Sequence, residues 1–360
     1  MKARAWLGGL AVVLIALGAG AYAFRGEIST RLLERSARSA MQTSLREQLP
    51  DGLHAAFCGT GSPLPDRTRA GPCLAVIAGQ HTFVFDAGDG ASETLSLMGV
   101  NLSEIEALFL THIHSDHIDG LDTVALQHWA NGPAEMPLLV VGLPGTARVV
   151  AGLNEAYALD QSYRAAHHGP EVMPPGGAGM TAREFALPLA DGEEIELHNA
   201  DGVRIVAFRV DHAPAEAVGY RVEYGGRTIV ISGDTSRSAS LTQAARGADL
   251  LVHEVISTRL DAIMHQAAQD AGRENIGAIF HDILDYHTSP EDAGNVAQEA
   301  GVGALAFTHF LPQTPIPGLA HTFVQDAKRT YDGPVFAMRD GDVISLPREG
   351  GMLRSHHLRF

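Results

Sequence analysis

The sequence predicts an α/β fold whose strands end on a shared rim carrying metal-binding side chains. Three observations lead there. From Leu53 onward, apolar runs of strand length alternate with Gly/Pro-rich turns and with helical segments. His112, His212, Asp234 and His309 each follow an apolar run at its carboxyl end. "LFLTHIHSDHIDG", residues 108–120, also sets three histidines and an aspartate within six positions, directly after a buried-strand run. In layered α/β folds the carboxyl ends of strands converge on one edge. Ligands spread over about 200 residues of sequence can therefore meet in space.

The N-terminus reads separately. "MKARAWLGGLAVVLIALGAGAYAF" places Lys2 and Arg4 before an uncharged apolar run from Trp6 to Phe24 that reaches "AYA" at 21–23. Basic residues, an apolar stretch and a small-residue end mark residues 1–24 as a signal peptide. At about 20 residues the run also suffices as a membrane anchor. Either way the remainder is expected outside the cytoplasm: periplasmic, secreted, or held at the inner membrane through residues 6–24. Residues 25–50 read as a linker helix. Ile28, Leu32, Leu33, Met41 and Leu45 form its imperfect apolar stripe, and Pro50-Asp51-Gly52 is its stop.

The main domain is expected over 51–348. "LHAAFCGTGSP" is a strand running into a tight turn, and "CLAVIAG" and "HTFVFDAGDG" pair around Gly79-Gln80. "IEALFLTHIHSDH" is a strand that opens into the histidine loop, and "GLDTVALQHWA" is the helix after it. "PLLVVG" and "VRIVAFRVDH" are further strands, and "VGYRVEYGGRTIVISGDT" is a hairpin turning at Gly225-Gly226. "ADLLVHEV" and "VGALAFTHF" complete the strands. "SPEDAGNVAQEAG" is a helix with Ser289 as N-cap, Pro290 at its first position and Glu291 and Asp292 in the first turn. Residues 349–360 are a tail in which His356 and His357 are given no catalytic role.

Composition bounds the partners. The 360 residues are 45% hydrophobic and 19% charged, ordinary for a globular chain. A net charge of −16 argues against a broad polyanion-binding face, though it leaves room for a local basic pocket. Cys58 and Cys73 are too few for a disulfide framework. They read as two small buried hydrophobes, with a single bridge in an oxidising compartment as the alternative.

The chemistry follows from the histidine loop. His112 and His114, two apart in extended backbone, point to one side. Asp116 and His117 lie past the bend and can reach a second point nearby. Imidazole and carboxylate donors without cysteine suit zinc or a similar divalent ion, with manganese or iron able to use the same ligands.

"THIHSDH" resembles the signature of the metallo-β-lactamase fold superfamily. "FCGTGSPLPDRTRAGPCLAV", "FVFDAGDG", "SGDT", "LLVHEV", "HTSPEDAG" and "FTHF" are similar, in order, to blocks of its ribonuclease Z and arylsulfatase-like branch. The resemblance implies an αββα four-layer sandwich, two mixed β-sheets flanked by helices. It also implies two zinc ions per chain. His112, His114 and His212 would hold one, Asp116, His117 and His309 the other, with Asp234 bridging. Two metals about 3.5–4 Å apart would lower the pKa of a bridging water and clamp the attacked group. Asp116 could accept a proton from that water, and His287 matches the family's donor to the leaving group. His253 and Glu254 are expected to support the site, and the loop after His167-His168 to line the substrate mouth or to be ordinary surface.

Substrate is the point of departure. Bacterial ribonuclease Z enzymes carry a tRNA-gripping arm between the "GYR" block and "SGDT", where this chain has only "VEYGGRTIVI". Together with export and the negative charge, this leads to an expected exported di-zinc hydrolase of small phosphodiesters or aryl sulfate esters, with nucleic acid not expected. The alternatives are a lactone or lactam hydrolase, a ribonuclease Z-type endonuclease, and a catalytically idle metal-binding module.

Overall fold

A computed structural model describes residues 19–42, 44–132, 134–188, 190 and 192–358. The leader expected over 1–24 lies, up to residue 18, outside the described residues. Among the described residues no helix is long and apolar enough to cross a membrane. Residues 1–44 with 359–360 form one unit and residues 45–358 a second. The first contains helix α1 (Arg25–Gln42), in which Ile28, Leu32, Leu33 and Met41 are all exposed.

The second unit opens with the short helix α2 (Leu45–Gln48) and three antiparallel strands, β1 (Gly52–Gly59), β2 (Cys73–Ala78) and β3 (His81–Phe85). Helix α3 (Ala91–Met98) leads to β4 (Ile105–Phe109), and α4 (Ser115–Ile118) and α5 (Leu121–Ala130) lead to β5 (Leu138–Gly142). Helix α6 (Thr146–His168) then crosses to β6 (Met180–Glu184). Next comes an antiparallel meander of β7 (Glu194–Ala200), β8 (Val203–Val210), β9 (Ala217–Tyr224) and β10 (Arg227–Ile231). Helix α7 (Ala239–Ala244) precedes β11 (Leu250–Ile256), followed by the helices α8 (Thr258–Asp270), α9 (Glu274–Asp282) and α10 (Pro290–Ala300). β12 (Leu305–Leu311), α11 (His321–Ala327), β13 (Val335–Ala337), β14 (Asp342–Pro347) and β15 (Leu353–His356) complete it.

The strands form two mixed sheets. One runs β15-β14-β1-β2-β3-β4-β5-β6, and the other runs β13-β12-β11-β10-β9-β8-β7. Leu53, Phe57, Phe85 and Phe109 of the first pack against Ile205, Tyr220, Val222 and Val252 of the second. Leu95 and Leu121 of α3 and α5 cover the outer face of the first sheet, and Leu241, Val296 and Phe323 of α7, α10 and α11 cover that of the second. This is the four-layer αββα sandwich. A strand buried on both faces has no polar side, which is why β2 reads as an unbroken apolar run, and β1 and β11 as apolar runs broken only by His54 and by His253-Glu254.

Strand direction decides where the site forms. β3 and β4 run parallel in one sheet; in the other, β10, β11 and β12 are parallel, and β8, two antiparallel steps from β10, shares their direction. Their carboxyl ends share one edge of the sandwich. There the sheets are tied directly: the buried Tyr220 hydroxyl donates to Leu110 O at 2.5 Å, and Val218 N donates to Thr111 O at 3.0 Å.

The cysteines correct an expectation. Cys58 and Cys73 are bonded to each other, with Cα atoms 5.0 Å apart. Both are buried, as expected, but β1 and β2 are antiparallel neighbours whose register slips between Phe57 and Gly59, and this sets the two residues across from one another. The bridge closes the loop 59–72 at its base. In a chain-entropy account, a loop of this separation contributes about 3 kcal/mol by restricting the unfolded chain. The C58A/C73A double variant should therefore lose about 3 kcal/mol in urea unfolding. A variant as stable as the parent would show that the bridge does not constrain the chain.

Candidate metal centre

The predicted ligands come together at the shared edge. β4 ends at Phe109, and Thr111 leads into His112, His114 and the single turn of α4, which carries Asp116 and His117. His212 follows β8, Asp234 follows β10, and His309 lies within β12. His112 Nε2 is 2.9 Å from His114 Nδ1, which is 3.2 Å from His212 Nε2. On the other side, Asp116 Oδ2 is 3.3 Å from His309 Nε2 and 3.5 Å from His117 Nε2. Asp234 Oδ2 stands between the trios, 3.3 Å from His117 and His309 Nε2 and 3.9 Å from His112 and His212 Nε2. Among the described residues, His112, His114 and His212 form one group able to hold a metal ion, and Asp116, His117 and His309 form another.

The hydrogen bonds behind the rings test whether a cation fits. His212 Nδ1 lies 2.9 Å from Tyr286 O, which can only accept, so the proton sits on Nδ1 and Nε2 carries a lone pair. Thr111 Oγ1 donates to Asp86 Oδ2 at 2.8 Å and so accepts from His112 Nδ1 at 3.0 Å, which leaves His112 Nε2 with its lone pair too. Both lone pairs face His114 Nδ1, which has at most one proton to give. His117 Nδ1 is 2.8 Å from Asp86 Oδ2, which turns its Nε2 towards Asp234. A crowd of acceptors with too few protons between them fits a bound cation.

Electrostatics agree. Burial pushes His112 well below the ordinary imidazole range, and His117 and His212 nearby add to it; burial likewise lowers His114 and His212. These three are neutral, the form that can ligate. For His117 burial acts against the charge, but the Asp234 and Asp86 carboxylates outweigh it and hold the ring well above the usual range. His309 is raised in the same way against burial, by Asp234 and Asp116. Burial alone would raise Asp234, yet His309 and His117 hold it well below the carboxylate range. In this balance protons on His117 and His309 offset the charge that a cation would neutralise.

Backbone geometry shows how tightly the site is built. Asp86 at φ 58° and His309 at φ 48° are two of the three non-glycine residues with positive φ among those described. Such conformations cost of order 1–3 kcal/mol each and persist where surroundings enforce them. Gly233, at φ 61°, leads into Asp234; a Cβ there would lie 2.8 Å from Val218 O and 3.0 Å from Thr111 Cβ, so only glycine lets the two sheets approach here.

His287 and Glu254 sit beside the trios, with His253 behind them. His287 is buried, its ring 5.2 Å from His212 and 5.6 Å from His309, and its Nδ1 is 3.3 Å from Glu254 Oε1 without hydrogen-bond geometry. Glu254 also accepts Thr288 N at 2.8 Å. His253 is fully buried and bonds Glu254 O. His167 and His168 end α6, about 34 Å of helix from its first turn at the metal edge, so the loop after them does not line the mouth. Asp86 was missed. The available signal was the one that found Asp234, a carboxylate directly after an apolar run ("FVFD").

The family described as "Beta-lactamase superfamily domain" matches residues 81–310. A protein named "Ribonuclease Z" from Mycolicibacterium paratuberculosis is 38% identical over 263 residues, 72% of this chain and 86% of that protein. Another of that name from Mycobacterium avium is 37% identical with the same coverage. The chain belongs to the metallo-β-lactamase superfamily, in its ribonuclease Z branch. The solved structure of human tRNase Z, short form, matches 82% of this chain and 99% of its own with a TM-score of 0.58 at 22% identity, a likeness of fold. The metallo-beta-lactamase fold protein YhfI from Bacillus subtilis matches at a TM-score of 0.57 and 19% identity, covering 82% and 100%.

Membership in this branch overturns one expectation. The small phosphodiester or aryl sulfate substrate, with nucleic acid set aside, does not stand against relatives named ribonuclease Z over most of the chain. The Gly225-Gly226 turn between β9 and β10 is as tight as the sequence implied. That turn, however, concerns one stretch of surface and leaves the rim that carries the ligand-type residues intact. A net charge likewise sums the whole chain and does not set the potential at one edge.

Removing the carboxylate behind His117 tests the arrangement. Asp86→Asn should weaken zinc affinity about 10–100-fold in a chelator competition. In the parent, affinity should climb with pH and keep climbing above about 6.5, because protons held on His117 and His309 compete with the ion. A pH-independent affinity would contradict the balance described.

Proposed function

We propose that this chain is a ribonuclease Z-type endonuclease that hydrolyses a phosphodiester bond in RNA, with a tRNA precursor as the reference substrate. Kinship at 36–39% identity with proteins of that name supports this, and the observation that carries it is the pair of histidine and carboxylate trios sharing Asp234. His112, His114 and His212 would hold one zinc ion and Asp116, His117 and His309 the other, with Asp234 between them. When bound, two such ions supply an activated water and neutralise charge developing on the phosphoryl oxygens.

The chain's own groups do the rest. Asp116 Oδ2, 3.3 Å from His309 Nε2, accepts and orients the proton of the attacking water. His287, beside both trios, protonates the departing ribose oxygen, and the Glu254 carboxylate lies 3.3 Å from its Nδ1. Thr288 N and Thr235 N in turn hold Glu254 in place.

Zinc-loaded protein should shorten a tRNA precursor carrying a 3′ extension. Asp234→Ala should lose both metal and activity, whereas His287→Ala should keep its metal and lose about 10²–10⁴ in kcat. No cleavage of any precursor by the zinc-loaded parent would end this assignment.

We also propose an exported location, supported by the charged-then-apolar leader and by a cysteine bridge of the kind that persists in oxidising compartments. Protease added to intact spheroplasts should degrade an epitope-tagged chain. A protected chain with both thiols reduced would place it inside instead.

A further inference from the structure

Beside the histidine loop lies an open groove of about 500 Å³ that the chemistry above leaves unused. Its walls are Ile113, Gly145, Arg148, Val149, Gly152 and Leu153, so one wall is the ligand loop itself and the other is the first half of α6. Three of these residues lack a structural explanation. Ile113, between His112 and His114, leaves 43% of its surface exposed although isoleucine gains by burial. Arg148 is exposed in the first turn of α6, with no ion pair or side-chain hydrogen bond among the described residues. Gly152 stands within a 23-residue helix, where glycine costs about 1 kcal/mol relative to alanine. A Cβ at that point would meet nothing within 4 Å, so packing does not require the glycine.

The remaining contacts keep the groove open and leave its arginine free. Gly145, at φ 109°, lets Ile113 lie along the wall, since a Cβ there would sit 3.1 Å from Ile113 Cδ1. The Glu184 carboxylate at this end of α6 accepts Gly145 N at 2.8 Å and Ala147 N at 2.9 Å, so it is occupied by backbone donors rather than by Arg148. An apolar wall, an unpaired guanidinium and a bare floor are what a single strand of nucleic acid needs. Bases lie on the apolar surface while the backbone meets the cation. Continuity with the histidine loop selects the segment that would enter.

Resting on the RNA-cleaving function proposed above, we infer that this groove is the subsite for the unpaired nucleotides adjoining the scissile phosphodiester. Arg148 meets a phosphate, Ile113 lies under a base, and Gly152 leaves the space that the strand fills.

Fluorescence anisotropy of the full, zinc-loaded chain with a labelled, cleavage-resistant phosphorothioate RNA of about twelve nucleotides tests this. Arg148→Glu should weaken binding at least tenfold, and Arg148→Ala should reduce the salt slope by about 0.7. Gly152→Trp, which fills open space and so does not disturb folding, should weaken binding to a similar extent. Arg246→Glu, an exposed arginine after α7, should bind as the parent does. Parent-like binding by both Arg148→Glu and Gly152→Trp overturns the subsite, as does an equal loss in Arg246→Glu, which would mean diffuse attraction. Precursor cleavage measured alongside separates the two claims. Arg148-dependent binding without cleavage sinks the ribonuclease function and keeps the groove. Cleavage indifferent to both positions keeps the function and sinks the groove.

Discussion

One oxygen atom, Asp234 Oδ2, holds the two halves of the sandwich in mutual account. It is buried, and a buried carboxylate is costly unless charged or polar partners surround it. Its partners arrive from both sheets: His112 and His117 from the loop after β4, His212 and His309 from β8 and β12. The site is therefore a consequence of the sheets closing on each other. Conversely, a failure to close would strand a charge in the interior.

The surrounding structure works to keep those distances short. Asp86 holds Thr111 and His117 together, and Thr111 in turn reaches His112. Tyr220 and Val218 pin the end of β4 to the opposite sheet, and Gly233 allows the approach that brings Asp234 into place. Positive φ at Asp86 and His309 shows that conformational cost is accepted where ligand direction matters. Each of these residues positions a nitrogen or an oxygen without itself facing the substrate.

Substrate choice is decided elsewhere, on the surface. The chain has only the Gly225-Gly226 turn between β9 and β10, and its overall charge is negative. Those global features led away from RNA. Recognition of a strand is local, however, and a single unpaired arginine beside an apolar wall can do what bulk charge opposes. The groove along α6 has that character, and it adjoins the loop that carries four of the ligand-type residues.

Much of the fold was legible in the chain. Apolar runs marked the central strands, Gly225-Gly226 marked the hairpin, and Ser289-Pro290 marked the start of α10, because these depend on neighbours in sequence. The ligand-type residues were legible for the same reason, His112, His212, Asp234 and His309 after apolar runs and His114, Asp116 and His117 from the spacing of the histidine loop. The partly exposed edge strands β6, β7 and β15, long α6 and the α8–α9 pair carried weaker local signals and went unassigned. The Cys58–Cys73 bond stood only as an alternative, Asp86 was overlooked although it too follows an apolar run, and the open floor at Gly152 and the unpaired state of Arg148 could not be read from the sequence. Local spacing determined which groups were available for chemistry; only strand pairing and sheet closure decided which atoms face each other, since those contacts join residues far apart along the chain.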